Sequence, residues 1–204
     1  VAFGFKLYKE TVNQNWMNLF YGDMKTYSAA TQLYMSSTRL QNEIDGIIKG
    51  KSTIHDRMRL EDKLFSELLC MDGHISEEHF KLIIQSIDTY TEIISEIAPF
   101  DRVFYLQTTE EVLKERIALR IERSGGKRDN EKVLLNPNNP YLRKLNNLYE
   151  RDFAQNKKTT SGIPITIINT NDLVLVNRET ERVRVDTTNT HNEYVLKLIK
   201  EELS

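Results

Sequence analysis

The sequence predicts an α/β fold in which a parallel sheet is flanked by helices. Three observations predict it. Short β-type runs alternate with helix-length amphipathic segments, a pattern that implies crossover units and parallel strands. The run Arg102-Val103-Phe104-Tyr105-Leu106-Gln107 reads as a buried strand with a helical segment directly behind it. Ser52-Thr53-Ile54-His55 is a β-type run that closes on Asp56-Arg57 and passes at once into a helix with a polar first turn. A parallel sheet presents charged groups in this way, at the carboxyl ends of its strands, where ligands bind.

At 204 residues the chain suits one domain spanning 1–204, long enough to bury a core. Its 28 basic and 30 acidic side chains leave a net charge of −2, so no global field draws it to a nucleic acid polymer or a membrane surface. Any anion must meet a local cluster. The one cysteine, Cys70, excludes an internal disulfide and a multi-cysteine zinc site, and points to a reducing compartment. No apolar run is long enough to span a bilayer, and neither a signal-peptide pattern nor a repeat is present. A cytoplasmic location is the expectation.

Taken in order, Val1-Ala2-Phe3 with Gly4 reads as a helix end and its C′ glycine, so an element is expected before Val1. Phe5 to Glu10 follows as a strand. Asn15 to Tyr21 reads as a short helix and Lys25 to Lys49 as a long one, with Ala29, Leu33, Leu40, Ile44 and Ile47 or Ile48 near one face. Gly50 ends it before the Ile54 strand. Leu60 to Met71 and Ser76 to Ile97 have helical spacing, the second opened by Ser76-Glu77-Glu78-His79, a capping box with His79 in the last place, and closed by Pro99. After the Arg102–Gln107 strand, Thr108 or Thr109 caps a helix that runs to Arg123. Ser124 to Pro140, rich in Gly, Asn and charge, reads as a long loop of the lid type. Tyr141 to Phe153 is helical. Three β-type runs follow, Pro164 to Asn169, Leu173 to Val176 and Arg182 to Val185, with a hairpin insertion expected at about 164–186, and a helix from His191 to Leu203 closes the chain.

Gly50-Lys51-Ser52-Thr53 spells the tail of a Walker A loop, but its context is reversed. That loop needs a strand before it, a helix after it, and a glycine five positions before Gly50, where this chain has Asp45. The tetrapeptide instead leaves a helix and enters a strand.

Four other stretches, in order, carry a resemblance. They are Tyr8-Lys9-Glu10-Thr11-Val12; Leu19-Phe20-Tyr21-Gly22-Asp23 with Thr31-Gln32-Leu33-Tyr34; Asp56-Arg57 with Glu61 to Glu67; and Arg116, Arg120 and Arg123 followed by Leu145 to Phe153. Together they resemble the deoxynucleoside kinase family, small kinases of the P-loop fold that phosphorylate the 5′-hydroxyl of deoxynucleosides. The first looks like the family's Glu-Pro-Val strand end with Thr11 for proline, and the third like its Asp-Arg-Ser helix with Met58 for serine. The resemblance implies a three-layer P-loop kinase-like fold, ATP as phosphoryl donor, Mg²⁺, and a role in nucleotide salvage.

The resemblance also assigns residues, and the chemistry suits them. Phosphoryl transfer asks for positioning and charge neutralisation more than covalent help. Glu10 is then the general base for the 5′-hydroxyl proton, and Arg57 orients Glu10 and contacts phosphate oxygens, which a planar fork does better than lysine. Asp56 lies near the Mg²⁺, through water, since that ion keeps much of its hydration shell. Gln32 reads a base edge with both faces of its amide, Tyr21 binds the sugar 3′-hydroxyl, and Trp16 and Phe65 flank the base. Arg116, Arg120 and Arg123 belong to the lid, at about 116–140. Each has a plain alternative: strand-end acids are often solvated, helix-spaced aromatics are often core, and arginines suit a helix C-terminus.

The resemblance breaks in two places. The phosphate-binding strand, glycine loop and first helix are expected upstream of Val1 and are absent from the chain as given, which would leave two inner strand edges unpaired and half of an ATP site missing. In the lid, Arg123-Ser124-Gly125-Gly126 stands where many relatives have Arg-Ser-Glu-Glu, removing an acidic group expected to hold the sugar. Two other readings therefore stand beside the kinase. One is a non-catalytic structural subunit of a larger assembly, as in the kinase-like accessory subunit of mitochondrial respiratory complex I, placed on the matrix side. The other is a kinase of nucleoside monophosphates, which an arginine near Gln32 such as Arg39 would favour. A homodimer through the Ser76–Ile97 helix is expected under the first reading.

Overall fold

The structure, a computed structural model, describes residues 5–10, 13–126 and 128–171. They fall into two compact units, one of Val1–Asp101 with Asn147–Tyr149 and Thr160–Ile163, the other of Arg102–Asn146 with Glu150–Thr159 and Pro164–Ser204. Leu173–Val176, Arg182–Val185 and the closing helix lie outside the described residues.

In the first unit, β1 (Lys6–Tyr8) and β2 (Thr53–His55) pair in parallel with Tyr8 opposite His55. The ladder runs one step past the strands, since the Asp56 amide donates to the Tyr8 carbonyl at 2.8 Å. Both strands are shorter than their β-type runs. Between them lie α1 (Gln14–Gly22) and α2 (Met24–Ile48). The Asn13 side chain accepts from the Trp16 amide and the Asp23 side chain from the Thr26 amide, each at 3.1 Å, so each helix opens on a side-chain cap. Gly46 lets α2 lie close to the strands, because a Cβ there would come within 3.0 Å of Thr53 Cγ2. Gly50, at φ 56°, turns the chain from α2 into β2. The Gly50–Thr53 tetrapeptide therefore has no helix N-terminus with which to hold a phosphate.

Helices α3 (Arg59–Met71) and α4 (Glu77–Ile97) complete this unit. The Ser76 hydroxyl accepts from the His79 amide at 3.2 Å, the first half of the expected capping box. Phe20, Leu69, Ile75, Ile83 and Ile87 form the core, with Met17, Tyr21, Met24 and Phe80 packed against it.

Helix α2 turns the other way from the hydrophobic reading. Its buried face is Ser28, Thr31, Gln32, Ser36, Arg39, Glu43 and Gly46, whereas Leu33, Ile44 and Ile48 are exposed. The reason lies on α3, which offers Arg59, Asp62 and Ser66 on its own buried face. Arg59 forks onto Glu43 through Nε and Nη2, the shortest contact being 2.6 Å, and Arg39 donates to Asp62. Charge pairing thus sets which face of α2 goes inside. Burial holds the Glu43 carboxyl above its ordinary range, and Arg59 offsets only part of that rise.

In the second unit, β3 (Val103–Gln107) and β4 (Ile165–Asn169) pair in parallel over five residues. Among the described residues the strands thus form two separate two-stranded parallel sheets, one in each unit. Helix α5 (Glu110–Arg123) is capped by Thr109, whose hydroxyl accepts from the Val112 amide at 3.4 Å. The lid stretch read as a loop holds a 3₁₀ helix, Asp129–Leu135, because Leu134 packs with Ile117, Ile121 and Leu142. The Tyr141–Phe153 helix is α6 (Tyr141–Tyr149) followed by a π-turn, Glu150–Ala154. The change of pitch comes where Glu150 accepts from the Tyr105 hydroxyl and the Gln107 amide, and the Gln155 amide reaches back to the Glu150 carbonyl.

Glu43→Leu or Arg59→Met alone leaves the other charge buried, and each is expected to destabilise by about 3–5 kcal/mol, whereas the double replacement returns close to wild type. Urea unfolding of the three variants measures this.

Candidate functional site

The parallel register puts the carboxyl ends of β1 and β2 side by side, so Glu10 and Asp56-Arg57 emerge together. Glu10 is held on both oxygens. Arg57 Nε lies 3.1 Å from Glu10 Oε2, and Arg39 Nη2 donates to Glu10 Oε1. Arg39 is buried, and its other fork nitrogen bonds Asp62, so one guanidinium joins the β1 end to the middle of α3. Tyr8, Glu10, Thr38, Arg39, His55, Asp56 and Arg57 line one cleft.

Arg57 has φ 74°, a left-handed conformation that a side-chain-bearing residue adopts at a cost of order 1–3 kcal/mol. Its anchoring offsets that cost. Arg57 Nη1 donates to Glu61 Oε2 at 3.1 Å and to the Tyr149 hydroxyl at 3.2 Å, and its guanidinium carbon lies 5.4 Å from the centre of the Phe65 ring. Burial would lower the Arg57 pKa, but Glu61, Tyr149, Glu10 and Asp56 outweigh it and hold the guanidinium well above its ordinary value. Glu61 Oε1 accepts from the Met58 amide at 3.3 Å, which supplies the returning half of a capping box at the start of α3 although Met58 has no hydroxyl.

The other expected residues are placed as follows. Asp56 is exposed at the strand end and lines the cleft. Gln32 is buried on the polar face of α2. Between α2 and α3, Arg39 Nε, Asp62 Oδ2, Ser36 Oγ and Ser66 Oγ are buried without a hydrogen-bond partner. Trp16 donates from Nε1 to the Thr31 hydroxyl at 3.0 Å and sits 5.8 Å from the Tyr34 ring. Tyr21 packs on the core beside Phe20, and Phe65 packs against both Arg57 and Tyr149.

In the second unit, Arg116 donates to the Thr170 hydroxyl at 3.0 Å and to its carbonyl. Arg120 forks onto Glu131 at 3.0 and 2.6 Å, Arg128 reaches the other oxygen of Glu131 at 2.6 Å, and Arg123 is exposed in the last turn of α5. The buried acid Glu131 was not singled out in the sequence, although its i,i+3 spacing from Arg128 on a charged lid was a usable sign. Glu61 was quoted as part of a motif and given no role, and its position four residues after Arg57 was the sign there. Tyr149 lies 92 residues from Arg57 and gave none.

A profile of the family described as "Deoxynucleoside kinase" matches residues 1–195. The chain belongs to the deoxynucleoside kinase family. Within the family, a curated relative is the deoxyadenosine kinase of Dictyostelium discoideum, 26% identical over 171 residues that cover 82% of this chain and 62% of that protein. The chain thus spans less than two thirds of that relative's length. Solved structures of deoxyadenosine kinase from M. mycoides are similar in fold. One with the products dCMP and a flexible dCDP bound has a TM-score of 0.67 at 21% identity, over 98% of this chain and 88% of that one. One with bound dATP has a TM-score of 0.62 at 23% identity, over 97% and 88%. The P-loop kinase fold expected from the sequence is therefore the fold of this chain. No helix among the described residues is long and apolar enough to cross a membrane.

His55 stacks on Tyr8 with ring centres 4.9 Å apart, and burial holds its pKa below the ordinary 6.5. The unfolded chain then binds a proton at His55 before the folded one does. Stability should fall as pH drops from 6.5 through the lowered folded value, and His55→Phe should reduce that fall. Denaturant midpoints at several pH values check it.

Proposed function

We propose that the protein transfers the γ-phosphoryl group of ATP to the 5′-hydroxyl of a deoxynucleoside. The observation that carries this reading is the meeting of Glu10 and Arg57 at adjacent strand ends, 3.1 Å apart, with Glu10 fixed on its other oxygen by Arg39. A carboxylate fixed on both oxygens is a positioned acceptor for the hydroxyl proton, and the forked cation beside it suits the charge on the phosphoryl group that moves. Arg116, Arg120 and Arg123 are the lid cations assigned to phosphate in this reading, and Glu131, which pairs with Arg120 and Arg128, is an acidic group in a lid that lacks one at 125 and 126.

The residues also fit Mg²⁺. Among the described residues no cluster of three or more acidic, histidine or cysteine side chains could hold a metal, but Mg²⁺ bound with a nucleotide needs only one or two carboxylates besides phosphate and water. Asp56, exposed at the cleft, is the carboxylate that would hold it, and the bound ion would neutralise phosphate charge.

The α2–α3 seam supports a finer reading of the base. An unpartnered Asp62 oxygen can accept and an unpartnered Arg39 Nε can donate, and the amide of Gln32, buried on α2, can do both. Adenine and cytosine each present an amino donor beside a ring-nitrogen acceptor, whereas thymine presents a carbonyl where their amino group stands. Both the curated relative and the solved structures are deoxyadenosine kinases by name. Deoxyadenosine is the substrate proposed, with deoxycytidine second.

Glu10→Gln in the complete protein is expected to abolish turnover while nucleoside binding, followed by calorimetry, persists. Turnover at the wild-type rate would refute the base assignment. In competition assays kcat/KM for deoxyadenosine should exceed that for thymidine by about 10²-fold or more, because a site with buried polar groups rejects a base that leaves them unpaired.

A further inference from the structure

The helix that follows the lid in sequence ends on a side chain to which the kinase reading gives no role. Tyr149, the last residue of α6, donates its hydroxyl to Glu61 Oε2 at 2.5 Å. The same Glu61 oxygen accepts from Arg57 Nη1, and that nitrogen also donates to the Tyr149 oxygen, so the three groups close a triangle. The Tyr149 ring stands edge-on to Phe65 with centres 6.4 Å apart, and Phe65 in turn lies under the Arg57 guanidinium.

The triangle bears on an unusual backbone. Arg57 is the one residue among those described, other than glycine, with positive φ. Its side chain can serve Glu10 only while that conformation holds. Glu61 does two things for it: one oxygen ties the Met58 amide next in the chain, and the other ties the Arg57 fork. Tyr149 fixes the carboxylate that does both. Burial and the neighbouring Glu61 carboxylate raise the Tyr149 pKa well above its ordinary value, so the phenol keeps the proton that it donates.

We propose that Tyr149 is a positioning residue, which holds Glu61 and through it sets the Arg57 fork against Glu10. It acts through Glu61 and not on the substrate itself. This deepens the kinase reading and rests on it. Its consequence concerns sequence as well as geometry, since it ties the segment following the lid to the arginine at the end of β2.

The test uses the complete protein with deoxyadenosine and Mg-ATP, in four forms: wild type, Tyr149→Phe, Glu61→Gln and the double variant. Tyr149→Phe keeps the ring on Phe65 and removes the hydroxyl alone. The expected result is a fall in kcat of about tenfold with KM for the nucleoside within about twofold, as for a residue that serves the chemical step rather than binding. Its Tm should stay within a few degrees of wild type. On the Glu61→Gln background the same change should have no further effect, because the partner through which it acts has already been altered. Wild-type kcat in Tyr149→Phe, a raised KM at unchanged kcat, or additive losses in the double variant would overturn the proposal. A variant that no longer folds would assign Tyr149 to structure and overturn it as well. A wild-type protein without turnover refutes the kinase reading itself, a different result from an active wild type matched by Tyr149→Phe.

Discussion

A buried guanidinium is tolerated only when its donors are taken up, since an uncompensated charge in the interior is destabilising by several kcal/mol. Arg39 on α2 has its charge compensated at both Nη nitrogens by two carboxylates from different elements, Glu10 beyond β1 and Asp62 on α3. The pairing decides how α2 is rotated, how α3 lies along it, and where Glu10 points. Glu43 and Arg59 repeat the arrangement one turn further along α2. Where most helix pairs bury an apolar stripe, this pair buries ionic partners, and one of them, Arg39, also lines the cleft.

That economy links stability to function. The carboxylate assigned to take a proton is held by two arginines, and each arginine is tied to α3, one through Asp62 and the other through Glu61. A shift of α3 would therefore move both fork contacts on Glu10. The left-handed backbone at Arg57 belongs to the same account: strain of this kind persists where the surroundings over-determine it, and functional sites are where it gathers. Arg39 Nε and Asp62 Oδ2 lie buried and unpartnered along the seam, and buried polar groups are seldom left unsatisfied in folded proteins.

The strand ends were legible in the sequence because their signal is local. A β-type run that stops at Glu10, and another at Asp56-Arg57, needs only alternation and adjacent charge, and the caps at Ser76 and Thr109 are likewise local rules. The rotation of α2 was not legible. Periodicity marks the apolar stripe through Leu33 and Ile44, but the charges that overrule it pair across 16 to 29 residues of chain, as Glu43–Arg59 and Glu10–Arg39 do. The lid misled for a related reason. Its glycines and asparagines announce a loop, while a leucine packed on α5 and the buried acid Glu131 wind part of it into a 3₁₀ helix. The break after Tyr149 depends on Glu150 finding Tyr105 and Gln107, contacts that no helical pattern encodes.

The proposed activity is chemical: the cleft where Glu10 and Arg57 meet would move a phosphoryl group onto a nucleoside. Phosphorus NMR of the complete protein with deoxyadenosine, ATP and Mg²⁺ follows both reactants at once. The account predicts a new phosphomonoester signal on the 5′-oxygen that grows in step with ADP. ADP appearing with inorganic phosphate and no nucleotide ester, or ATP left intact beside the nucleoside, would contradict it.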